Sequence, residues 1–273
     1  MPETTRRHFT RAPRRAGTIE TIAGVRSPEL GNTRDLHVYL PPGYAGSASR
    51  YPVAYMQDGQ NLFDPELAFA APWNAQVAAD ASARLGYPLI IVGIANLGAH
   101  RVDEYSPFAD RRVGGGVGDR YLVFVRDRVK AMIDREYRTL PGREHTIIGG
   151  ASMGGLIALY AYFRFPEVFG RACVQSPALW FAEGAFFDYV DAATYVPGRI
   201  FLDVGRREGV QTLYNARRLR DALHARGFVE GDSLRWIEDR VGAHDERAWG
   251  RRLKRALPFL LESRTLENGM RAP

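Results

Sequence analysis

Gly150-Ala151-Ser152-Met153-Gly154 is a GxSxG sequence, preceded by the short β-branched run Thr146-Ile147-Ile148 and followed by an apolar stretch from Met153 to Phe165. On a strand-to-helix turn this pentapeptide holds a serine hydroxyl above the edge of a sheet. Gly150 and Gly154 then have a steric task, because the strand and helix backbones close on each other where a strained nucleophile is held. A serine hydroxyl attacks poorly until a base takes its proton, and that base is normally a histidine oriented by a carboxylate. With GxSxG the partners follow in the order acid, then histidine.

Only His224 and His244 of the six histidines lie beyond Ser152. His224 falls on the polar face of a helix near its C-terminal end, where an imidazole meets the last carbonyls. His244, in Gly242-Ala243-His244-Asp245-Glu246, follows a strand and precedes the closing helix, so its loop can carry it over the sheet edge as general base. For the acid, Glu208 in the loop Gly205-Arg206-Arg207-Glu208-Gly209 leads. Asp203, inside the preceding strand, is the alternative, while Asp245 reads as a helix N-cap. A tetrahedral intermediate needs two N–H donors. Met153, next to the nucleophile, is expected to supply one, and Gln60, in the loop after the strand Tyr51 to Met56, the other, with Asn61 as fallback.

The elements that must position these residues alternate. Thr18 to Val25 and Asp35 to Leu40 read as an antiparallel hairpin, with turn signals between them. From Val53 onward strands and helices alternate without a compositional break. This predicts an α/β class with a mostly parallel central sheet, helices on both faces and one domain over 18–273. The helical patterns cover Trp73 to Leu85, Asp119 to Tyr137, Met153 to Phe165, Gln211 to Arg226 and Glu246 to Leu261; the strand patterns include Pro88 to Ala95, Ala172 to Gln175, Arg199 to Val204 and Leu234 to Arg240. Between Gln175 and Arg199 lie Trp180, Phe181, Phe186, Phe187 and Tyr189, either a packed helical cover or the apolar wall of a cleft. The long polar loop from Asn96 to Gly118, with Arg101, Glu104 and Tyr105, reads as a functional rim.

The 273 residues carry a net charge of +6, but Met1 to Arg15 holds five arginines against one glutamate, leaving +2 for the rest. The basic balance is therefore that of a solvated tail over 1–17 and speaks against nucleic acid as partner. Thr5-Arg6-Arg7-His8-Phe9 looks like a twin-arginine signal, yet Thr10 to Thr18 supplies no apolar segment, so a cytoplasmic protein is expected. No apolar run reaches membrane-spanning length. The single Cys173 falls in a strand and reads as a buried, inert thiol. Gly114-Gly115-Gly116-Val117-Gly118 follows a loop and lacks the last glycine of a dinucleotide fingerprint, so it reads as a hinge and no cofactor is expected. No HExxH and no second histidine at ligand spacing beside His244 point to a metal.

Asp58-Gly59-Gln60-Asn61-Leu62-Phe63-Asp64, Arg101 to Pro107, the Ser152 elbow, Gly205 to Glu208 and Gly242 through Trp249 resemble the esterase D-like putative esterase family of α/β-hydrolases, over nearly all of Thr18 to Leu261. That family includes feruloyl and acetylxylan esterases, enterochelin-type siderophore esterases and mycolyltransferases. The resemblance implies an α/β-hydrolase fold, Ser152 as nucleophile, His244 as base, Glu208 as acid where many relatives have Asp, and oxyanion donors at Met153 and Gln60. It also implies a cofactor-independent serine esterase acting on a small-molecule ester. With the aromatic cover and the rim loop, it directs substrate contacts to Trp180 and Arg101 and suggests a feruloyl, aryl or sugar ester. The alternatives are a siderophore ester or transfer of the acyl group to an alcohol.

Overall fold

The structure, a computed structural model, describes residues 16–262; the expectations for the basic tail and its paired arginines lie outside the described residues up to 15. In chain order the hairpin is β1 (Thr18–Ser27) and β2 (Asn32–Leu40), followed by β3 (Val53–Gln57), α1 (Ala75–Arg84), β4 (Ile90–Ile94) and α2 (Arg101–Glu104). A small hairpin, β5 (Ala109–Asp110) and β6 (Gly114–Gly115), leads to α3 (Gly118–Phe124), which passes through a wide π-helical stretch (Val125–Lys130) into α4 (Ala131–Glu136). Then come β7 (Thr146–Ala151), α5 (Met153–Arg164), β8 (Arg171–Gln175), α6 (Ala185–Ala192), β9 (Arg199–Gly205), α7 (Val210–Ala225), β10 (Leu234–Asp239) and α8 (Glu246–Leu261).

Eight strands form one sheet in the order β1-β2-β4-β3-β7-β8-β9-β10. β1 and β2 are antiparallel, β2 meets β4 antiparallel, and from β4 through β10 all pairings are parallel. Successive side chains on a strand point to opposite faces, and the core divides accordingly. Tyr55, Val92, Ile148 and Leu202 pack with α5, α6 and α7 on one face, while Ala54, Ile91, Ile147 and Phe201 pack with α1 and α8 on the other. Both faces are covered, which is why β3, β4 and β7 are buried at every position.

Three local differences from the sequence reading have physical causes. The helix expected from Trp73 starts at Ala75, because Asn74 adopts a left-handed conformation and the Trp73 N–H goes to the Asn61 carbonyl. The glycine run expected as a hinge is instead the return strand of the small hairpin: Gly115 donates to Asp103 Oδ1, and a Cβ there would stand 2.3 Å from the Phe108 carbonyl oxygen. The helix expected from Asp119 to Tyr137 contains the π-helical stretch, which hydrophobic spacing does not disclose.

The aromatic stretch after β8 is mainly a packed cover. Phe181, Phe186 and Phe187 are buried, and Phe186 and Tyr189 meet Phe108 across the hairpin, while Trp180 remains 57% exposed.

Candidate active site

Ser152 stands between the end of β7 and the start of α5 with φ 56° and ψ −123°, a strained conformation for a residue with a Cβ. The glycines around it permit the turn. A Cβ on Gly150 would lie 2.7 Å from the Gly154 backbone, and one on Gly154 would lie 3.0 Å from Gln57 Cβ. The segment after β8 fastens the turn: Ser152 N–H donates to the Gln175 carbonyl at 3.0 Å, and Ala178 N–H donates to the Ser152 carbonyl at 3.0 Å.

Glu208 and His244 meet. His244 Nδ1 lies 2.8 Å from Glu208 Oε2, and since an ionised carboxylate can only accept, Nδ1 carries the proton and Nε2 is left as a base. The Glu208 side chain is out of solvent, while that of His244 is 42% exposed. Burial pushes the Glu208 carboxyl up, yet hydrogen bonds from His244, Ser176 and the Gly205 N–H outweigh it and hold the group below the usual carboxylate range. The two loops are tied through backbone: Arg207 N–H donates to the Gly242 carbonyl at 3.0 Å, which passes so close that a Cβ on Gly205 would stand 2.3 Å from its oxygen. The His244 ring meets Trp249 edge to face at 5.0 Å.

Asp203, the alternative acid, has other partners. It is fully buried, 3.1 Å from Arg252 Nε, and accepts from Gln175 Nε2 at 2.9 Å. Burial outweighs the nearby Arg252 charge and pushes it up to about 6. Asp245 caps α8, accepting from Ala248 N–H at 2.7 Å. His224 contacts the Phe228 carbonyl just past its helix, and Cys173 is buried, its thiol pushed well up by that burial. Among the described residues no group of three or more His, Cys, Asp or Glu is arranged to hold a metal ion.

The loop after β3 faces the elbow. Asp58 is left-handed and Gly59–Asn61 makes a tight turn under β4, where a Cβ on Gly59 would collide with Gly93 at 2.3 Å. Asn61 N–H is spent on the Asp58 carbonyl at 2.9 Å, and the Gln60 side chain accepts from Asn96 N–H at 3.1 Å. Met153 N–H is at the first position of α5, where amides have no acceptor within the helix. The Cβ position of Gly154 lies 3.3 Å from Asp58 Oδ2, so the elbow and this loop abut.

Arg101, expected to touch substrate, is committed to that loop. Its Nε and Nη2 donate to Asp58 Oδ1 and Oδ2 at 2.7 and 2.8 Å, and Asn96 Nδ2 donates to Oδ1 at 2.7 Å. Tyr105 Oη accepts from Asp58 N–H at 3.0 Å. At the far end of α2, Glu104 is gripped by the buried Arg34 through two bonds of 2.8 and 2.9 Å. Trp180 lies on the rim of a cavity of about 720 Å³, with residues 109–113, Ala182 and Glu183 as its other walls.

Residues 27–260 match the family described as "Putative esterase". This chain belongs to the putative esterase family. It is 25% identical over 253 residues to the uncharacterized protein YbbA of Bacillus subtilis, covering 88% of this chain and 97% of that one. It is also 26% identical over 249 residues to the iron(III) enterobactin esterase of Dickeya dadantii, over 84% of this chain. The match spans about half (52%) of that longer relative. The crystal structure of the BES protein from Bacillus cereus superposes with a TM-score of 0.72 at 20% identity, over 96% of this chain and all of the other (100%), which shows the α/β-hydrolase fold. The chemistry of the family is carboxylic ester hydrolysis, and among the described residues no helix of this putative esterase is long and apolar enough to cross a membrane.

Three partners of the site were not found from sequence. Trp249 and Arg252 both bond to Ser176, and Ser176 and Arg252 both reach Glu208. Arg252 left a trace: it stands among Trp249, Leu253, Ala256 and Leu260 on the apolar stripe of α8, where a charge is retained only with a partner. Ser176 left none, since a serine after a strand is ordinary.

Proposed function

We propose that this putative esterase is a serine hydrolase that cleaves small-molecule carboxylic esters through an acyl-enzyme on Ser152. The observation that carries the reading is the bond from His244 Nδ1 to the buried Glu208 carboxylate, on the same rim as a strained serine elbow. His244 Nε2 takes the Ser152 proton as Oγ attacks the acyl carbon. Met153 and Gln60 N–H groups stabilise the oxyanion, and the imidazolium, held by Glu208, protonates the leaving alkoxide. Water, activated by the same Nε2, then attacks the acyl-enzyme, releasing the acid and restoring the serine. The exposure of His244 favours water over a sequestered alcohol acceptor, so hydrolysis ranks ahead of acyl transfer.

The substrate reading is an aryl ester, of feruloyl or catecholate-siderophore type. Two features support it: the exposed Trp180 beside Arg111 and Arg112 on the rim cavity, and the likeness to an enterobactin esterase. In this reading Trp180 stacks on the substrate, and Arg101 acts by holding Asp58. Ser152→Ala is expected to abolish turnover of p-nitrophenyl acetate. A panel of feruloyl, acetyl-sugar and catecholate-siderophore esters ranks the substrates by kcat/KM; undiminished turnover by the Ser152 variant contradicts the mechanism.

A further inference from the structure

Glu208 Oε1 accepts two strong hydrogen bonds, from Gly205 N–H at 2.7 Å and from the Ser176 hydroxyl at 2.6 Å. Ser176 Oγ in turn lies 2.7 Å from Arg252 Nη2 and 3.2 Å from Trp249 Nε1. An indole N–H and a guanidinium can only donate, and a hydroxyl has two lone pairs and one proton. Both lone pairs of Ser176 are therefore taken, and its single proton has one direction left, toward Glu208. Arg252 is itself buried, with Asp203 Oδ1 3.1 Å from its Nε and Glu208 Oε1 3.4 Å from its Nη2, so both neighbouring carboxylates hold the guanidinium beside Ser176. We infer that Ser176 is a positioning residue of the reaction: its hydroxyl, aimed by Trp249 and Arg252, fixes the Glu208 carboxylate so that Oε2 faces His244 Nδ1.

The backbone supports this assignment. Ser176 has φ 43°, a left-handed conformation in which glycine is at ease and a residue with a Cβ is not. A serine at that position retains strain and keeps a hydroxyl, and the hydroxyl is the group that reaches the acid. Ser176 also follows Gln175 and precedes Ala178 by two, the residues whose backbone groups bond to Ser152, so one short segment orients the nucleophile turn and the acid together.

The inference rests on the triad reading above, and the test separates the two. Ser176→Ala and Ser176→Gly are compared with the parent for kcat and KM on p-nitrophenyl acetate, for the downfield proton resonance of His244 Nδ1–H, and for melting temperature. Losing a hydrogen bond to a charged group predicts about a tenfold fall in kcat for each variant, with KM changed by less than about twofold. The resonance is expected to move upfield or to exchange away. Ser176→Gly, relieved of backbone strain, is expected to lose as much kcat as Ser176→Ala, a result that a purely structural role does not give. Should both variants fail to fold, Trp249→Phe, which frees one lone pair of Ser176, carries the test with about a threefold fall in kcat and the same displaced resonance. Parental kcat and an unmoved resonance in the folded variants, beside an inactive Ser152→Ala, overturn this inference alone. Full turnover by Ser152→Ala overturns the triad and this inference with it.

Discussion

A carboxylate that accepts from a hydroxyl, a backbone amide and an imidazole has its charge fixed in place, and this is the state of Glu208. Its contribution is measurable apart from its shape. Glu208→Gln preserves volume but offers a neutral amide to His244, and kcat is expected to fall by about a hundredfold or more. Steady-state kinetics check this, with a fall under about threefold counting against Glu208. Asp203 behaves oppositely. With its pKa raised to about 6 by burial, it keeps its proton in the folded protein through a range in which the unfolded chain, near 3.8, has lost it. The folded state thus binds more protons there, and stability falls as pH rises from about 4 to about 6. Asp203→Asn removes this dependence. Unfolding free energies from urea titration are expected to rise in the variant relative to the parent across that window, by up to about 3 kcal/mol, and to level off above it.

At the scale of elements, α2 works as a clip. Glu104 at its end is held in the interior by Arg34, whose guanidinium also lies over the rings of Tyr121 and Phe124 at 5.4 and 5.1 Å. Arg101 at its start holds Asp58, and Tyr121 donates to Gln57, the last residue of β3. With Tyr105 also accepting from Asp58 N–H, three side chains hold the loop that carries Gln60. In the proposed mechanism Arg101→Gln is expected to lower kcat about tenfold with little change in KM, because a loosened loop would misplace the proposed oxyanion donor Gln60, which acts mainly in the transition state. Kinetics on a small ester distinguish this from direct substrate binding, which would raise KM. Arg34→Met leaves Glu104 buried without its partner and is expected to cost about 3–5 kcal/mol of stability, read by chemical denaturation.

Across the whole molecule, what was legible followed from periodicity and order. The run of β-branched residues into GxSxG located β7 and α5, the hairpin and most helices appeared within a few residues of their expected bounds, and alternation implied the parallel sheet. Glu208 and His244, picked by their places after strands, are hydrogen-bonded to each other. What stayed hidden depends on contacts between distant segments. The pairing of β2 with β4, the commitment of Arg101 to Asp58 and the meeting of Ser176 with Glu208 join residues that no local pattern relates. Arg101 shows the limit well: nothing in its own loop points to a carboxylate 43 residues away.

The central claim is that one serine of this putative esterase carries the acyl group. Labelling the folded protein with a fluorophosphonate and mapping the adduct by peptide mass spectrometry tests it directly. The account predicts a single adduct on Ser152, formed slowly or not at all in His244→Ala. Absence of labelling in the parent protein, or an adduct placed on Ser176 instead, would contradict it.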